Sequence, residues 1–99
     1  MVYEIIFSER ASQDLTSILK YLETQWSIKT SFDFVEILEK KITLIRSNPY
    51  LYPSFKNNRP VRKCVLNKQV TLYYRIKNHE VQIITLFNNR KNPLKLKIT

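Results

Sequence analysis

Residues 61–87 read VRKCVLNKQVTLYYRIKNHEVQIITLF, and they contain three runs rich in β-branched and aromatic residues. Runs of this length and composition are typical of β-strands. The first two runs are separated by Asn67-Lys68 and the last two by Lys77-Asn78-His79. Because breaks this short join neighbouring antiparallel strands, residues 61–66, 69–76 and 80–87 predict a three-stranded antiparallel meander.

The residues before the meander predict one strand and two helices. Residues 2–7, VYEIIF, suit a short strand, and Ser8 follows where a helix N-cap belongs. Apolar residues then recur every three or four positions up to Trp26, and again after Ser27, a second N-cap. We expect an αα-hairpin with Trp26 in the core and the second helix ending before Pro49. The buried stripe of the second helix is predicted to comprise Ile28, Phe32, Val35, Leu38, Ile42 and Ile45.

Residues 47–60 contain three prolines, three asparagines and two serines, so they predict a loop. Because the loop also holds Tyr50, Leu51, Tyr52 and Phe55, we expect it to pack down as a hydrophobic plug. In order, the elements give β-α-α-β-β-β, an α+β fold with the helical hairpin on one face of the sheet. A chain of 99 residues is too short to divide, so residues 1–99 are predicted to form a single domain.

The length of each turn sets which side chains share a face of the sheet. A two-residue turn at Asn67-Lys68 would pair Arg62 with Tyr73, and one at Asn78-His79 would pair Tyr73 with Ile84. The face expected under the helices then comprises Val65, Val70, Leu72, Tyr74, Ile76, Val81, Ile83 and Phe87. The opposite face comprises Arg62, Tyr73, Arg75, Ile84 and Leu86, with Arg90 if the last strand continues. Because apolar groups on an outward, basic face usually have a partner that covers them, this second face is the predicted binding surface.

The charge of the chain is concentrated in its second part. The chain has 17 Lys and Arg against 8 Asp and Glu, a formal net charge of +9. Residues 1–39 carry seven acids and three bases, whereas residues 40–99 carry fourteen bases and one acid. This polarisation predicts an acidic partner, and nucleic acid, an acidic protein and anionic lipid all satisfy it.

The missing residue types exclude several kinds of site. Without glycine, the chain has no Gly-rich phosphate-binding loop and no Gly-x-Ser-x-Gly elbow. One cysteine and one histidine, Cys64 and His79, supply neither an internal disulfide nor a four-ligand zinc site, so we expect no metal and no cofactor. Cys64 is interpreted as a packing residue. No apolar stretch is long enough for a signal peptide or a membrane span, which predicts a cytoplasmic protein with no membrane partner.

Five segments match a known pattern in their order and spacing: ASQDLTSILKYLETQW (11–26), PYLYP (49–53), VRKCVL (61–66), LYYRI (72–76) and VQIITLFNNRKNP (81–93). Through them the chain resembles toxins of the RelE/ParE superfamily from bacterial type II toxin–antitoxin systems. The resemblance implies the fold given above and a small basic toxin. It also implies a cognate antitoxin, whose C-terminal segment wraps the toxin and covers its working surface in a hetero-oligomer.

Members of this superfamily act on two kinds of target. RelE-like members cut mRNA in the ribosomal decoding site, and ParE-like members inhibit DNA gyrase. By resemblance, Arg62 matches an arginine on the first strand of the meander and Arg90 approximates a basic residue after the last strand. In a ribonuclease these two would stabilise the transition-state phosphate. The chain has no His or Tyr after His79 and no acid between Glu39 and Glu80, so the proton-transfer residues expected of a ribonuclease are missing.

Three functions therefore stay open, and the missing proton-transfer residues favour the first. It is a ParE-like toxin that inhibits DNA gyrase and is neutralised by an antitoxin. The second is a ribosome-dependent mRNA endonuclease, and the third is a nucleic-acid-binding module with no toxin role. The apolar pair Ile84 and Leu86 favours the first two over the third. The predicted target- and antitoxin-binding residues are Arg62, Tyr73, Arg75, Ile84, Leu86 and Arg90.

Overall fold

The computed structural model of the chain describes residues 2–55 and 58–89. Its elements are β1 (Glu4–Phe7), α1 (Glu9–Gln25), α2 (Ile28–Ser47), β2 (Ser54–Phe55), β3 (Asn58–Val65), β4 (Val70–Lys77) and β5 (Glu80–Asn88). The strands form one sheet in the order β1-β5-β4-β3-β2. The β3-β4-β5 meander is antiparallel, as predicted, and β1 adds to it in parallel beside β5. The predicted α+β architecture is confirmed.

Both helices begin at the predicted serines. The Ser8 hydroxyl oxygen accepts a hydrogen bond from the backbone N–H of Ala11 at 2.9 Å, and that of Ser27 accepts one from Thr30 at 3.0 Å. Each cap satisfies a donor that the first helical turn leaves unpaired, which stabilises a helix by about 1 kcal/mol. α2 ends at Ser47, as the following proline predicts. Within the described residues, neither helix combines the length and apolar character that crossing a membrane requires.

The main core lies between the helices and one face of the sheet, which we call the helix side. The helices bury Ala11, Phe34, Leu38 and Ile45 in it. The strands and the turn after β3 contribute Cys64, Leu66, Val70, Leu72, Tyr74, Val81, Ile83 and Leu86. The sequence placed most of the β4 and β5 residues correctly, but it placed Val65 and Phe87 on the helix side in error.

The error at Val65 comes from the turn between β3 and β4. The turn has three residues, Asn67 to Gln69, because the Leu66 N–H donates to the Val70 carbonyl at 3.0 Å. The Asn67 side-chain oxygen accepts from the N–H groups of Gln69 and Val70 at 2.8 and 2.9 Å. Cys64 therefore pairs with Leu72 and not with Thr71. One extra residue turns every β3 side chain to the other face, which leaves Val65 55% exposed.

The error at Phe87 comes from a bulge in β5. The two-residue turn at Asn78-His79 gives the predicted pairing of Arg75 with Gln82, and Asn78 adopts the left-handed conformation (φ 58°) that the tight turn needs. Beyond that, Tyr74 pairs with Ile83 but Tyr73 pairs with Thr85, so Ile84 is an extra residue. The bulge sends Leu86 to the helix side and Phe87 to the other face.

The predicted loop between α2 and the meander is partly ordered as strand. β2 and the first residues of β3 lie inside the range 47–60, so the predicted loop was too long. The loop does pack down as predicted: Pro49 is fully buried, and its carbonyl accepts a hydrogen bond from the Tyr74 hydroxyl at 2.7 Å. This bond ties the loop to the middle of the sheet.

Three side chains at the turn between the helices contradict the predicted core. Trp26 is 64% exposed, Ile28 64% and Phe32 69%. The buried residues of α2 are Ser31, Phe34, Leu38 and Ile45. At about 100° per residue, Phe32 is turned well away from Ser31 and the rest of that stripe. The apolar surface of the hairpin is therefore wider than the surface that the sheet covers.

Substituting Tyr74→Phe should lower the free energy of unfolding at neutral pH by about 1–2 kcal/mol, because it leaves the buried Pro49 carbonyl without its donor. Tyr21→Phe, at a side chain that is 44% exposed, should change it by less than about 0.5 kcal/mol. Urea unfolding followed by circular dichroism measures both. Equal decreases in the free energy of unfolding in the two variants would contradict a stabilising role for the Tyr74–Pro49 hydrogen bond.

The same variant carries a pH signature. Burial raises the pKa of Tyr74 from 10.0 to about 12. The contribution of the neutral Tyr74 phenol to the free energy of unfolding is therefore complete below pH 10. It is lost as the pH rises toward 12, because Tyr74 ionises at lower pH in the unfolded chain than in the folded one. Phenylalanine does not titrate, so the stability difference between wild type and Tyr74→Phe should shrink over that interval.

Candidate functional site

The face of the sheet away from the helices carries a small aromatic cluster. Val61, Tyr73 and Phe87 are buried in it, and Phe55 and Ile84 pack against them. The rings of Phe55 and Tyr73 meet edge to face, with centroids 5.3 Å apart and planes at 71°. This geometry is typical of a stabilising aromatic pair. We call this surface the open face, because both of the helices pack on the other one.

Basic residues flank the aromatic cluster on the open face. Lys63 pairs with Tyr73 and Arg75 pairs with Val61 in the β3–β4 ladder, so both share the face of the cluster. Both are exposed. The Arg75 Nε donates to Gln82 Oε1 at 2.8 Å, which orients the guanidinium along the sheet. The open face is therefore apolar at its centre and basic at its rim, and Tyr73, Arg75 and Ile84 lie on it as predicted.

The protonation of Tyr73 limits what the open face does chemically. Burial raises the pKa of the Tyr73 phenol above its ordinary value of 10.0. The hydroxyl therefore stays protonated at neutral pH, where it donates or accepts hydrogen bonds but does not act as a base. Tyr73 therefore contributes hydrogen bonding to the open face and does not supply a base at neutral pH.

Arg62 does not lie on the open face, which corrects the sequence prediction. The three-residue turn pairs it with Tyr74, a helix-side residue, in place of Tyr73. Its Nη1 donates to the Tyr52 carbonyl at 2.7 Å, and its guanidinium lies 5.1 Å from the centre of the Tyr50 ring. A charge-assisted hydrogen bond and a cation–π contact hold the loop before β2 against β3. Arg62 thus clamps the loop.

The structure does not place two further predicted site residues, Leu86 and Arg90, on the open face with Arg75. The β5 bulge places Leu86 in the helix-side core, 3% exposed, and not on the open face beside Ile84. Arg90 lies outside the described residues. The functional roles predicted for these residues are still predictions, but the single face that was expected to unite them is divided between the two sides of the sheet.

A groove opens on the helix side, between α1 and the end of the sheet. It has a volume of about 350 Å³. Its apolar lining includes Ile18, Leu22, Val70 and Leu86, and Tyr21, Arg10 and Asp14 also line it. Pockets of this size with an apolar lining and a few polar groups are typical binding sites. The sequence did not indicate the groove, because its walls come from both helices, β5 and the turn after β3.

Asp14 builds one wall of the groove. Its Oδ2 accepts hydrogen bonds from the Thr85 hydroxyl and, at 3.2 Å, from the backbone N–H of Leu86. Thr85 is 1% exposed, so its hydroxyl needs a partner within the protein. The sequence signal was faint: Asp14 lies outside the apolar stripe of α1, on the side that faces the bulge.

Cys64 is unsuited to nucleophilic chemistry. It is fully buried, and burial raises the pKa of its thiol, although the Tyr52 hydroxyl and Lys41 lower it in part. A buried neutral thiol packs as a small apolar group, as the sequence predicted. Within the described residues, no three His, Cys, Asp or Glu side chains are grouped so as to hold a metal ion.

Comparison with known proteins identifies the fold and the family. Residues 5–93 match the family model described as the ParE toxin of the type II toxin–antitoxin system parDE. No curated protein sequence matches the chain at a significant level. Among solved structures, a chain of the chromosomal ParDE system from P. aeruginosa superposes with a TM-score of 0.74 and 15% identity, over 88% of this chain and 96% of that one.

Two more solved structures share the fold. The YoeB/ParE toxin from Agrobacterium tumefaciens has a TM-score of 0.66 and 11% identity, over 87% of this chain and 98% of that one. A chain of the E. coli DinJ–YafQ toxin–antitoxin complex has a TM-score of 0.62 and 13% identity, over 91% and 96%. The fold is therefore that of small toxins of toxin–antitoxin systems. Because the family model covers most of the chain, the protein belongs to the ParE toxin family of type II systems.

Removing the Asp14 carboxylate should open the joint between α1 and β5. Asp14→Ala should lower the free energy of unfolding by about 2–3 kcal/mol, because two donors lose a charged acceptor. The matched control is Asp33→Ala, which breaks only an exposed pair with Lys29 (3.1 Å) and should cost less than about 0.5 kcal/mol. Urea unfolding compares the two, and similar losses would refute the role given to Asp14.

Proposed function

We propose that this toxin stops bacterial growth by binding a target protein, DNA gyrase, through the open face. We further propose that a cognate antitoxin neutralises it by seating an amphipathic segment in the α1–β5 groove. The observation that carries the proposal is the separation of two surfaces of different chemistry, one a basic sheet face over a buried aromatic cluster, the other a groove with an apolar floor and polar borders. Resemblance to ParE-like members supports gyrase as the target.

The open face has the composition of a protein-binding surface. Arginine is among the residues that dominate binding energy where proteins meet, and Arg75 is exposed there. Tyr73 is only 7% exposed, so it supports this surface from within the sheet. Ile84 is half-buried beside them, so a partner gains apolar contact without a large rearrangement of the sheet. Arg75 is already oriented by Gln82, which reduces the entropy lost when a partner carboxylate binds it.

The groove suits a segment with apolar side chains at helical spacing. Ile18, Leu22 and Leu86 form its apolar lining. Polar side chains border it from α1, from β5 and from the turn after β3. A segment that fills it replaces water around Tyr21, which is 44% exposed. An acidic antitoxin is also attracted to a chain of net charge +9, which speeds the encounter. We therefore propose a toxin–antitoxin hetero-oligomer, and we retain the predicted cytoplasmic location as part of this proposal.

An mRNA endonuclease is the second candidate, and one observation favours it. Lys63 and Arg75 are exposed on the open face, and exposed cations on one surface also fit the phosphate backbone of RNA. Two observations favour the inhibitor. Arg62 is engaged by the Tyr52 carbonyl on the other side of the sheet, and the raised pKa of Tyr73 does not suit a general base. Membership of a toxin family removes the support for a non-toxin nucleic-acid-binding module.

Expression of the chain alone in bacteria should arrest growth, and co-expression of its antitoxin should restore growth. The purified chain should then inhibit DNA supercoiling by gyrase and leave mRNA on programmed ribosomes intact. Cleaved mRNA with normal supercoiling would transfer the assignment to the endonuclease. Unaffected growth, with the protein present in the cells, would overturn the toxin proposal.

Two variants should separate the surfaces. Arg75→Glu reverses a charge on the open face and should reduce toxicity at least about tenfold, while antitoxin affinity changes little. Tyr21→Ala removes an exposed ring from the groove and should weaken antitoxin binding about tenfold or more, while the chain stays toxic. Growth assays measure toxicity and calorimetry measures antitoxin affinity. If both variants lowered both quantities equally, the two surfaces would not have separate roles.

A further inference from the structure

The turn between the helices exposes three large apolar side chains outside the main core. Trp26, Ile28 and Phe32 are each about two-thirds exposed, and none belongs to the core clusters. Trp26 is the C-cap of α1 and Ile28 is the first residue of α2. Phe32 lies one helical turn after Ile28, so both point to the same side of α2. We call these three residues the hairpin-tip patch.

The size of the patch is that of an interface centre. Side chains of this size with these exposures present about 400 Å² in total. Isolated apolar side chains on a surface are ordinary, but a contiguous patch of several hundred Å² normally marks a contact site. A standard interface buries about 800 Å² on each partner, with an apolar centre and a polar rim. The patch is large enough to be the centre of such an interface, with the neighbouring polar residues as its rim.

The rim of the patch is close to electrically neutral. Residues 20–40 carry three lysines and four acids, in a chain whose net charge is +9. Two of the lysines are paired within α2, Lys29 with Asp33 at 3.1 Å and Lys40 with Glu36 at 3.3 Å. Such a rim attracts neither nucleic acid nor a strongly acidic protein. It suits a partner surface that is also apolar at its centre and neutral at its rim.

We propose that the hairpin-tip patch is the two-fold interface between two copies of this chain. A two-fold contact joins a surface to itself, so each patch must be complementary to its own copy. An apolar centre meets this condition, and a rim that is nearly neutral, with two of its three lysines paired within each copy, meets it with little repulsion. The basic open face would not, because two copies would oppose their cationic residues there. The proposal is independent of the proposed function, since it uses no residue of the open face or of the groove.

The test is the oligomeric state of the full chain and of two matched variants. Sedimentation equilibrium over a concentration series should show a reversible dimer with a dissociation constant in the micromolar range. Phe32→Glu places a carboxylate in both halves of the contact and should weaken the dimer on the order of 100-fold. Leu44→Glu is the control: Leu44 is 47% exposed on the same helix but is turned about 120° from Phe32. It should leave the dimer unchanged, and thermal unfolding checks that both variants fold.

Three results would overturn the proposal: a chain that stays monomeric up to several hundred micromolar, a Phe32→Glu variant that dimerises like wild type, or a dimer that Leu44→Glu disrupts equally. A second measurement covers the case in which Phe32→Glu does not fold. Gln25, the last residue of α1, and Ser47, the last of α2, are both exposed. Gln25→Cys should form a disulfide-linked dimer on mild oxidation and Ser47→Cys should not, and the reverse pattern would exclude the contact.

Discussion

The first turns of α1 hold four consecutive residues of β5, and both candidate surfaces depend on this joint. The Ser8 N–H donates to the Ile83 carbonyl at 2.9 Å, and the Ser8 hydroxyl donates to the Ile84 carbonyl at 2.8 Å. Asp14 accepts from Thr85 and Leu86. A bulge leaves backbone groups that the neighbouring strand does not pair, and α1 supplies their partners here. In a regular strand Ile84 and Leu86 would share one face; with the bulge held by α1, Ile84 faces the open face and Leu86 lines the groove.

The sequence was sufficient to predict the helices and strands, but it did not predict the register of β3 against β4. Serine caps, apolar spacing and β-branched runs are local signals, and they located both helices and the meander. The side of β3 depends on whether the turn after it has two residues or three. Asn67 decides the length of the turn, because its side-chain oxygen accepts hydrogen bonds from two backbone N–H groups. The composition of the turn, Asn-Lys-Gln, does not predict these hydrogen bonds. The one-residue difference exchanged Cys64 for Val65 as the buried residue.

The candidate site residues were likewise placed correctly on some strands and wrongly on others. Tyr73, Arg75 and Ile84 were placed on the correct face because the two-residue turn at Asn78 sets the β4–β5 register as far as the bulge. Leu86 lies beyond the bulge and was placed on the wrong face. Arg62 was misplaced with β3, and its true partner, the Tyr52 carbonyl, lies in an irregular loop whose backbone no pattern predicts. The groove was missed altogether, because a cavity between four segments exists only once their packing is known.

The uneven distribution of charge along the chain separates the helices from the meander in the folded protein. The acid-rich first part builds the helices, so the groove and the hairpin-tip patch lie on surfaces with little excess charge. The basic second part builds the meander, whose Lys63 and Arg75 rim the open face. A binding segment that fills the groove gains mainly from apolar burial, which salt scarcely affects. A partner on the open face gains from its charges, which salt screens. Binding in the groove is therefore expected to resist salt and binding on the open face to weaken with it, so salt dependence distinguishes the two surfaces.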